Sequence, residues 1–340
     1  MANRDTTGNT ATVAVSGAVG FLGSHLVRGF EARGAKVLPL VRVVDGRSAA
    51  AARVLEEAVG DPAALAGLDV FVHTAAVRSR YGVDPETYPA TNVELVERAM
   101  RTCAAADVRR FVFVSAVGVY GFPHQLPVTE ANPYAPRTPY FGAKVEAEMR
   151  AKRIARELPI ELVIVRPSMV YGPGDRTGFL GKMAAMIRGG TYRVVGPGDN
   201  VLHHVHVDDI VEGLWLASTL PEAAGDDFIL AGPETTTLER LSLQVAGAVG
   251  RALPRMHVPS AVARAIATAV DAAAQSGAAF TSWEPPLTHE MLDVMTLPIE
   301  FDIGKARRRL GFAPVVGYDE GVMRTLRGQW PTVARFGAES

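Results

Sequence analysis

Cysteine is almost absent from this chain. Cys103 is the only one in 340 residues, so no internal disulfide can form, and a reducing cytoplasm is the expected compartment. Net charge is almost absent too, since 35 Lys and Arg against 36 Asp and Glu leave −1. Charge so evenly balanced offers no basic surface to nucleic acid or to anionic lipid. There is no long apolar run either. The nearest, 259–280, is rich in alanine but interrupted by Arg264 and Asp271, which makes it an amphipathic helix rather than a membrane span. Residues 1–10 are polar, without the apolar core of a signal peptide, and read as a disordered lead-in. Internal repeats and long linkers are also missing. What remains is a chain able to bury a sizeable core, as one large domain or two closely joined ones.

The most informative stretch comes early. Ala11 to Ser16 is a short run of small and β-branched residues that reads as a buried strand, and Gly17, Gly20 and Gly23 then open a helix. Gly17 lets the chain turn out of the strand, Gly20 lets backbone approach a pyrophosphate, and Gly23 lets helix pack on sheet. Behind them, the helix N-terminus with Phe21 and Leu22 offers unpaired N–H groups and a positive dipole end to phosphates. Strand, turn and helix in that order predict a dinucleotide site.

The spacing G-x-x-G-x-x-G resembles the extended short-chain dehydrogenase/reductase family, and three later stretches resemble it as well. They are Val70 to Ala76, Tyr140-Phe-Gly-Ala-Lys144, and Arg166-Pro-Ser-Met-Val-Tyr-Gly-Pro173. A closing stretch, Asp302 to Pro314, is similar to the family's last motif. In pattern the chain is most similar to the dihydroflavonol reductase and 3β-hydroxysteroid dehydrogenase branch. The resemblance implies an α/β Rossmann fold: a doubly wound parallel sheet with helices on both faces, plus a smaller, mostly helical C-terminal substrate part. The expected division is 11–165 for the dinucleotide-binding domain, rejoined by 207–231. Residues 166–206 and 232–330 form the substrate part, and 331–340 a tail. Strands are expected at 35–42, 53–57, 68–74, 110–115, 159–166, 201–207 and 228–231, and a long helix over 88–106.

By the same resemblance the cofactor contacts are Gly17, Gly20, Phe21, Leu22, Gly23, Arg42, Thr74, Ala75, Ala76, Asn92, Val114, Tyr140, Lys144, Pro167, Ser168 and Met169. At the end of the second strand the acidic position of NAD enzymes falls on Val41, and Arg42 follows. A guanidinium there suits a 2′-phosphate, so NADP is preferred over NAD. The alternative is that Asp45 takes the ribose. The first Asp of the family's G-D-x-x-D falls on Ala58, and Asp61 matches the second. His73, at a strand end, reads as a packed residue rather than a proton donor.

The chemistry expected is hydride transfer. A free phenol is a poor base near neutrality, and a nearby ammonium stabilises its ionised form. The resemblance makes Tyr140 the acid/base and Lys144 its charge partner and ribose anchor. The family's third catalytic hydroxyl falls on Ala116, with Ser115 one residue earlier. Adjacent strand residues face opposite sides. Three readings stand: an irregular strand end lets Ser115 serve as the third catalytic residue, Thr138, Thr129 or water replaces it, or the protein turns over weakly.

Nucleotide-sugar enzymes of the family carry polar phosphate contacts where this chain has Met169 and Leu202. A buried diphosphate lacking both is costly. The substrate expected is a carbonyl or secondary alcohol on a mainly apolar small molecule, with Met169, Tyr171, Phe179, Leu202 and Trp283 as candidate lining. The alternatives are a nucleotide-sugar epimerase, dehydratase or decarboxylase, and a non-catalytic dinucleotide sensor. His204 and His206 alternate on one strand face, but no carboxylate or cysteine accompanies them, so no metal is expected. Asp208 and Asp209 read as caps of the following helix. Beyond the small molecule, no nucleic acid or membrane partner is expected, and a homodimer is the assembly left open.

Overall fold

A computed structural model describes residues 10–44, 51–77, 88–175, 178–253, 257–275 and 289–327. Its centre is a seven-stranded sheet. In chain order the first strands and helices are β1 (Thr12–Ser16), α1 (Phe21–Glu31), β2 (Lys36–Val41), β3 (Arg53–Val54), the one-turn α2 (Leu55–Ala58) and β4 (Val70–His73). Then come α3 (Leu95–Ala105), β5 (Arg110–Val114), α4 (Pro139–Glu157), β6 (Glu161–Pro167), β7 (Met169–Tyr171) and α5 (Phe179–Arg188). They are followed by β8 (Val201–Leu202), β9 (His204–His206), α6 (Val207–Thr219), β10 (Asp227–Leu230) and β11 (Thr236–Thr237). Five helices close the described chain: α7 (Leu238–Ala248), α8 (Ser260–Gln275), α9 (His289–Thr296), α10 (Gly304–Leu310) and α11 (Tyr318–Arg327).

The main sheet runs β10–β6–β5–β4–β1–β2–β3, every neighbouring pair parallel. Parallel strands covered on both faces need apolar residues at successive positions, and Val13–Ser16, Val70–His73 and Arg110–Val114 are buried throughout. Val112 and Val114 face α1 and α6, packing with Leu26, Phe30 and Leu214. Phe111 and Phe113 face α3 and α4, packing with Met100, Cys103, Ala147 and Ile154. The order reverses between β1 and β4, which opens a crevice at the carboxyl ends of those strands. A second core lies among α5, α7, α8, α9 and α11, with Leu180, Met183, Leu241, Val245, Leu292 and Val322 at its centre. Two short pairs, β7 with β9 in parallel and β8 with β11 antiparallel, lie outside the main sheet.

The structure corrects several expected elements. The strand expected over 53–57 stops at Val54, and Leu55–Ala58 turns into helix because Leu55 and Ala58 tuck into the core beside Phe71. The helix over 88–106 begins as a π-helical turn, Pro89–Glu94, and becomes α-helical only from Leu95. The strand over 201–207 breaks at His203, whose imidazole bonds Phe301 N and the Gly232 carbonyl. Asp208 and Asp209 do not cap α6. His206 is the N-cap, its Nδ1 accepting from Asp208 N at 3.2 Å, while Asp209 accepts from Val315 N and Val316 N. Thr138, with Pro139 after it, does cap α4, and Thr237 caps α7. Asp45 and Trp283, named from the sequence, lie outside the described residues. Among the described residues no helix is long and apolar enough to cross a membrane.

Candidate active site

The turn after β1 has the geometry its glycines imply. Gly17 has φ +73°, and a Cβ there would sit 2.9 Å from Thr74 Oγ1 and 3.1 Å from Ala75 N. A Cβ on Gly23 would sit 2.1 Å from the Gly17 carbonyl oxygen, so only glycine lets α1 approach the turn this closely. Gly20 precedes α1 in extended conformation without a side-chain cap, so no side chain takes the N–H groups of the first turn, at Phe21, Leu22 and Gly23. The cradle therefore fits a dinucleotide pyrophosphate.

Ser16 locks the two sides of the crevice together. Its hydroxyl accepts from Thr74 N at 3.1 Å and Ala75 N at 3.2 Å, and lies 3.1 Å from His73 Nδ1. The Thr74 hydroxyl donates back to the Ser16 carbonyl. Burial, and secondarily the Lys144 charge, push the His73 imidazole down to about 3. His73 is thus neutral and locked in the wall. Asn92 spends its whole amide on Val77, accepting from its N–H at 2.8 Å and donating to its carbonyl at 2.9 Å. It fixes the backbone after Ala76. Arg42, at the end of β2, is exposed and makes no ion pair or hydrogen bond among the described residues. Asp61 caps the turn that follows it, accepting from Ala63 N at 2.9 Å.

The opposite wall is α4. Tyr140 is half-buried against Val77, Tyr88 and Ala143. Lys144 is buried; its Nζ donates to the Val114 carbonyl at 2.9 Å and lies 4.8 Å from the Phe113 ring centre and 5.9 Å from that of Tyr140. One helical turn separates the two residues, so α4 presents both to the same end of β5. Gly118 permits this docking: a Cβ there would lie 2.2 Å from the Phe141 ring.

The position of the third hydroxyl is held by Ala116, with Ser115 before it at the end of β5. Ser115 N continues the ladder, donating to the Val165 carbonyl at 2.8 Å, so the strand is regular to this point and carries no bulge. The Ser115 hydroxyl is sealed from solvent and has no hydrogen-bond partner. Ala116, extended at φ −162° and ψ 151°, keeps the next position. The two substitutes are engaged elsewhere, as Thr138 Oγ1 accepts from Phe141 N and Thr129 Oγ1 donates to Asn132. The structure places Tyr140 and Lys144 together, and closes the Ser115 hydroxyl to solvent.

The Arg166-Pro167 corner ends β6. Arg166 itself is buried, its guanidinium held by Glu148 at 2.6 Å, Asp227 at 2.9 Å and the Tyr120 and Tyr134 hydroxyls. Glu148 had not been singled out in the sequence, though its place four residues after Lys144 was a readable signal. This pair ties the catalytic helix to the corner. Pro167 and Ser168 follow, Ser168 N donating to the Leu230 carbonyl at 2.8 Å and its buried hydroxyl unpartnered. Beyond the corner Met169, Tyr171 and Phe179 line a small apolar cavity. Leu202, expected with them, is buried in the same core but does not line the cavity. The three histidines make no metal site, and no group of His, Cys, Asp and Glu suited to a metal exists among the described residues.

The sequence profile described as "NAD dependent epimerase/dehydratase family" matches residues 13–231. A 2-alkyl-3-oxoalkanoate reductase of Stenotrophomonas maltophilia is 28% identical over 333 residues, covering 92% of this chain and 97% of its own. A UDP-glucose 4-epimerase of Mycolicibacterium smegmatis is 34% identical over 268 residues, covering 72% and 85%. Among solved structures, gox2253 superimposes with a TM-score of 0.75 at 29% identity over 94% of this chain and 98% of its own. MoeE5, crystallised with UDP-glucuronic acid and NAD, has a TM-score of 0.74 at 22% identity, covering 94% and 99%, and shares the fold.

Proposed function

This chain belongs to the NAD dependent epimerase/dehydratase family, and from that premise we propose that it reduces a carbonyl, or oxidises the matching secondary alcohol, on a mainly apolar small molecule with NADP as preferred cofactor. When bound, the nicotinamide supplies or takes the hydride. The Tyr140 phenol gives its proton to the substrate oxygen, or takes one from it in the reverse direction. The Lys144 ammonium, fixed by the Val114 carbonyl, stabilises the phenolate left behind. Gly17, Gly20 and the first turn of α1 hold the pyrophosphate, Thr74 to Ala76 the adenine-side ribose, and Pro167 and Ser168 border the nicotinamide. Arg42, uncommitted to any other residue, is the group offered to a 2′-phosphate.

The observation that carries the substrate class is the lining beyond the corner. Met169, Val170, Phe179, Leu180 and Leu241 enclose it with Tyr171, His204 and Tyr318, and no Lys or Arg is among the described lining residues. A diphosphate buried there would have no partner for its charge. NADPH oxidation with a panel of medium-chain ketones tests the reading. The 34% identity to a UDP-glucose 4-epimerase supports a second reading, because transient keto-sugar chemistry uses the same Tyr and Lys. A thermal-shift series with nucleoside diphosphate sugars separates the two: strong stabilisation by one of them defeats the apolar substrate.

A further inference from the structure

We infer that Phe113 is a positioning residue for the proton transfer: the face of its ring holds the Lys144 ammonium beside Tyr140 and keeps it charged. The inference rests on the oxidoreductase reading and adds to it what sustains a cation in a closed site. Lys144 is 2% exposed, so protein groups must replace the water around its charge. Two successive residues of β5 share that task. The Val114 carbonyl accepts from Nζ at 2.9 Å, and Nζ lies over the Phe113 ring, 4.8 Å from its centre. Alternation along β5 explains the pair, since Phe113 turns its side chain toward α4 while Val114 turns its own toward α1. Within about 6 Å the negative face of an aromatic ring attracts a cation, most strongly where water is excluded. Phe113 is itself fully buried, so solvent screens the contact little.

The ring stands between two basic side chains, and only one of them is charged. His73 is the register partner of Phe113 on β4, and its ring centre lies 6.1 Å from that of Phe113. Burial, and then the Lys144 charge, push the imidazole down to about 3, so it stays neutral. Of the other titratable groups on α4 and the elements packed against it here, Glu148 is committed to Arg166, and Tyr88 and Tyr140 are phenols. The Tyr140 ring centre lies 5.9 Å from Nζ, so a phenolate formed there meets an ammonium already seated on Phe113. A cation held by the ring is in place before the proton leaves Tyr140 and after it returns. The ring therefore governs the alkaline side of the reaction, where Lys144 gives up its own proton and the phenolate loses its partner.

Fluorine tests this, because it drains the negative face of a ring and alters its shape little. Phenylalanines carrying one, two or three ring fluorines replace Phe113, and separately Phe111, which lies in the same core. Oxidation of a secondary alcohol by NADP⁺ is then followed across pH. At 113 the alkaline limb of kcat should move to lower pH with each fluorine, by about one pH unit for three, and the acid limb should stay. At 111 both limbs should stay. An alkaline limb that ignores fluorine at 113, or that moves equally with fluorine at 111, overturns the inference. The second measurement needs no turnover. In cofactor-free protein with ¹³Cε-labelled lysine, the signal absent from Lys144→Arg is titrated, and its midpoint should fall with the same fluorines at 113. A midpoint that does not move also overturns the inference. A midpoint that moves in a protein oxidising no alcohol defeats the oxidoreductase reading and leaves Phe113 as the seat of the cation.

Discussion

Ala116 and Ser115 show how a difference of one residue decides a role. The strand is regular through Ser115 and its hydroxyl is sealed, so Ser115→Ala should leave turnover within about threefold, well below the 1–3 kcal/mol of a lost transition-state hydrogen bond. Ala116→Ser should instead raise turnover on a ketone that fits, and a large loss in Ser115→Ala would reverse the assignment. Tyr140→Phe removes the proton carrier and should lower turnover by at least ~10²-fold with cofactor affinity little changed. Arg42→Ala should weaken NADPH binding by about 1.5–3 kcal/mol and hardly touch NADH. Equal losses for both cofactors would remove the NADP preference. At this scale the sequence was most legible where a residue's chemistry is local. The glycines of the first turn and the Tyr–Lys pair could be read off their spacing. Asn92 could be placed in its helix, but its partner Val77 could not be read, because the π-helical turn that carries Asn92 has no spacing signal of its own.

At the scale of elements, α4 joins more of the site than Tyr140 and Lys144 suggest. Glu148, one turn beyond Lys144, holds Arg166 of β6, while Asp227 of β10 holds the same guanidinium from the sheet edge. Lys305 of α10 binds Asp226 and Asp227, which explains structurally the lysine of the closing motif. Glu148→Gln leaves a buried guanidinium short of one charge and should cost about 3 kcal/mol. Urea unfolding measures it, and a cost under about 1 kcal/mol would mean that Asp227 suffices. Side-chain caps made the starts of α4 and α7 legible, and unbroken apolar runs the inner strands, since those signals lie within the element. The broken strand at His203 and the true cap of α6 were not legible. The first depends on partners far along the chain, Phe301 and Gly232, and the second on a histidine side chain taking the place of the usual capping hydroxyl or carboxylate.

Across the whole molecule, buried neutral histidines couple stability to pH. His73 and His204 are both held near 3 in the fold by burial, against about 6.5 when exposed. Between those values the unfolded chain binds protons that the native one does not, so stability is full above about 6.5 and falls as pH drops toward 3. Each should contribute a loss of about 2 kcal/mol by pH 5. Urea midpoints at pH 7.5 and 5 test this, and the loss should shrink in His204→Phe. An unchanged midpoint in the wild type would refute it.

The placement of β10 also has a consequence for how the protein is made. The chain leaves the sheet after Pro167, builds the parts from Met169 to Thr219, and only then supplies the strand that covers β6. A nascent chain that has emerged only as far as Thr219 therefore presents β6 as an open edge, with Arg166 lacking Asp227. Such an edge invites pairing with another chain. Synthesis through this interval is the stage at which the protein is most exposed to misassembly, and ribosome-bound chains halted just before and just after residues 227–230 should differ sharply in protease resistance.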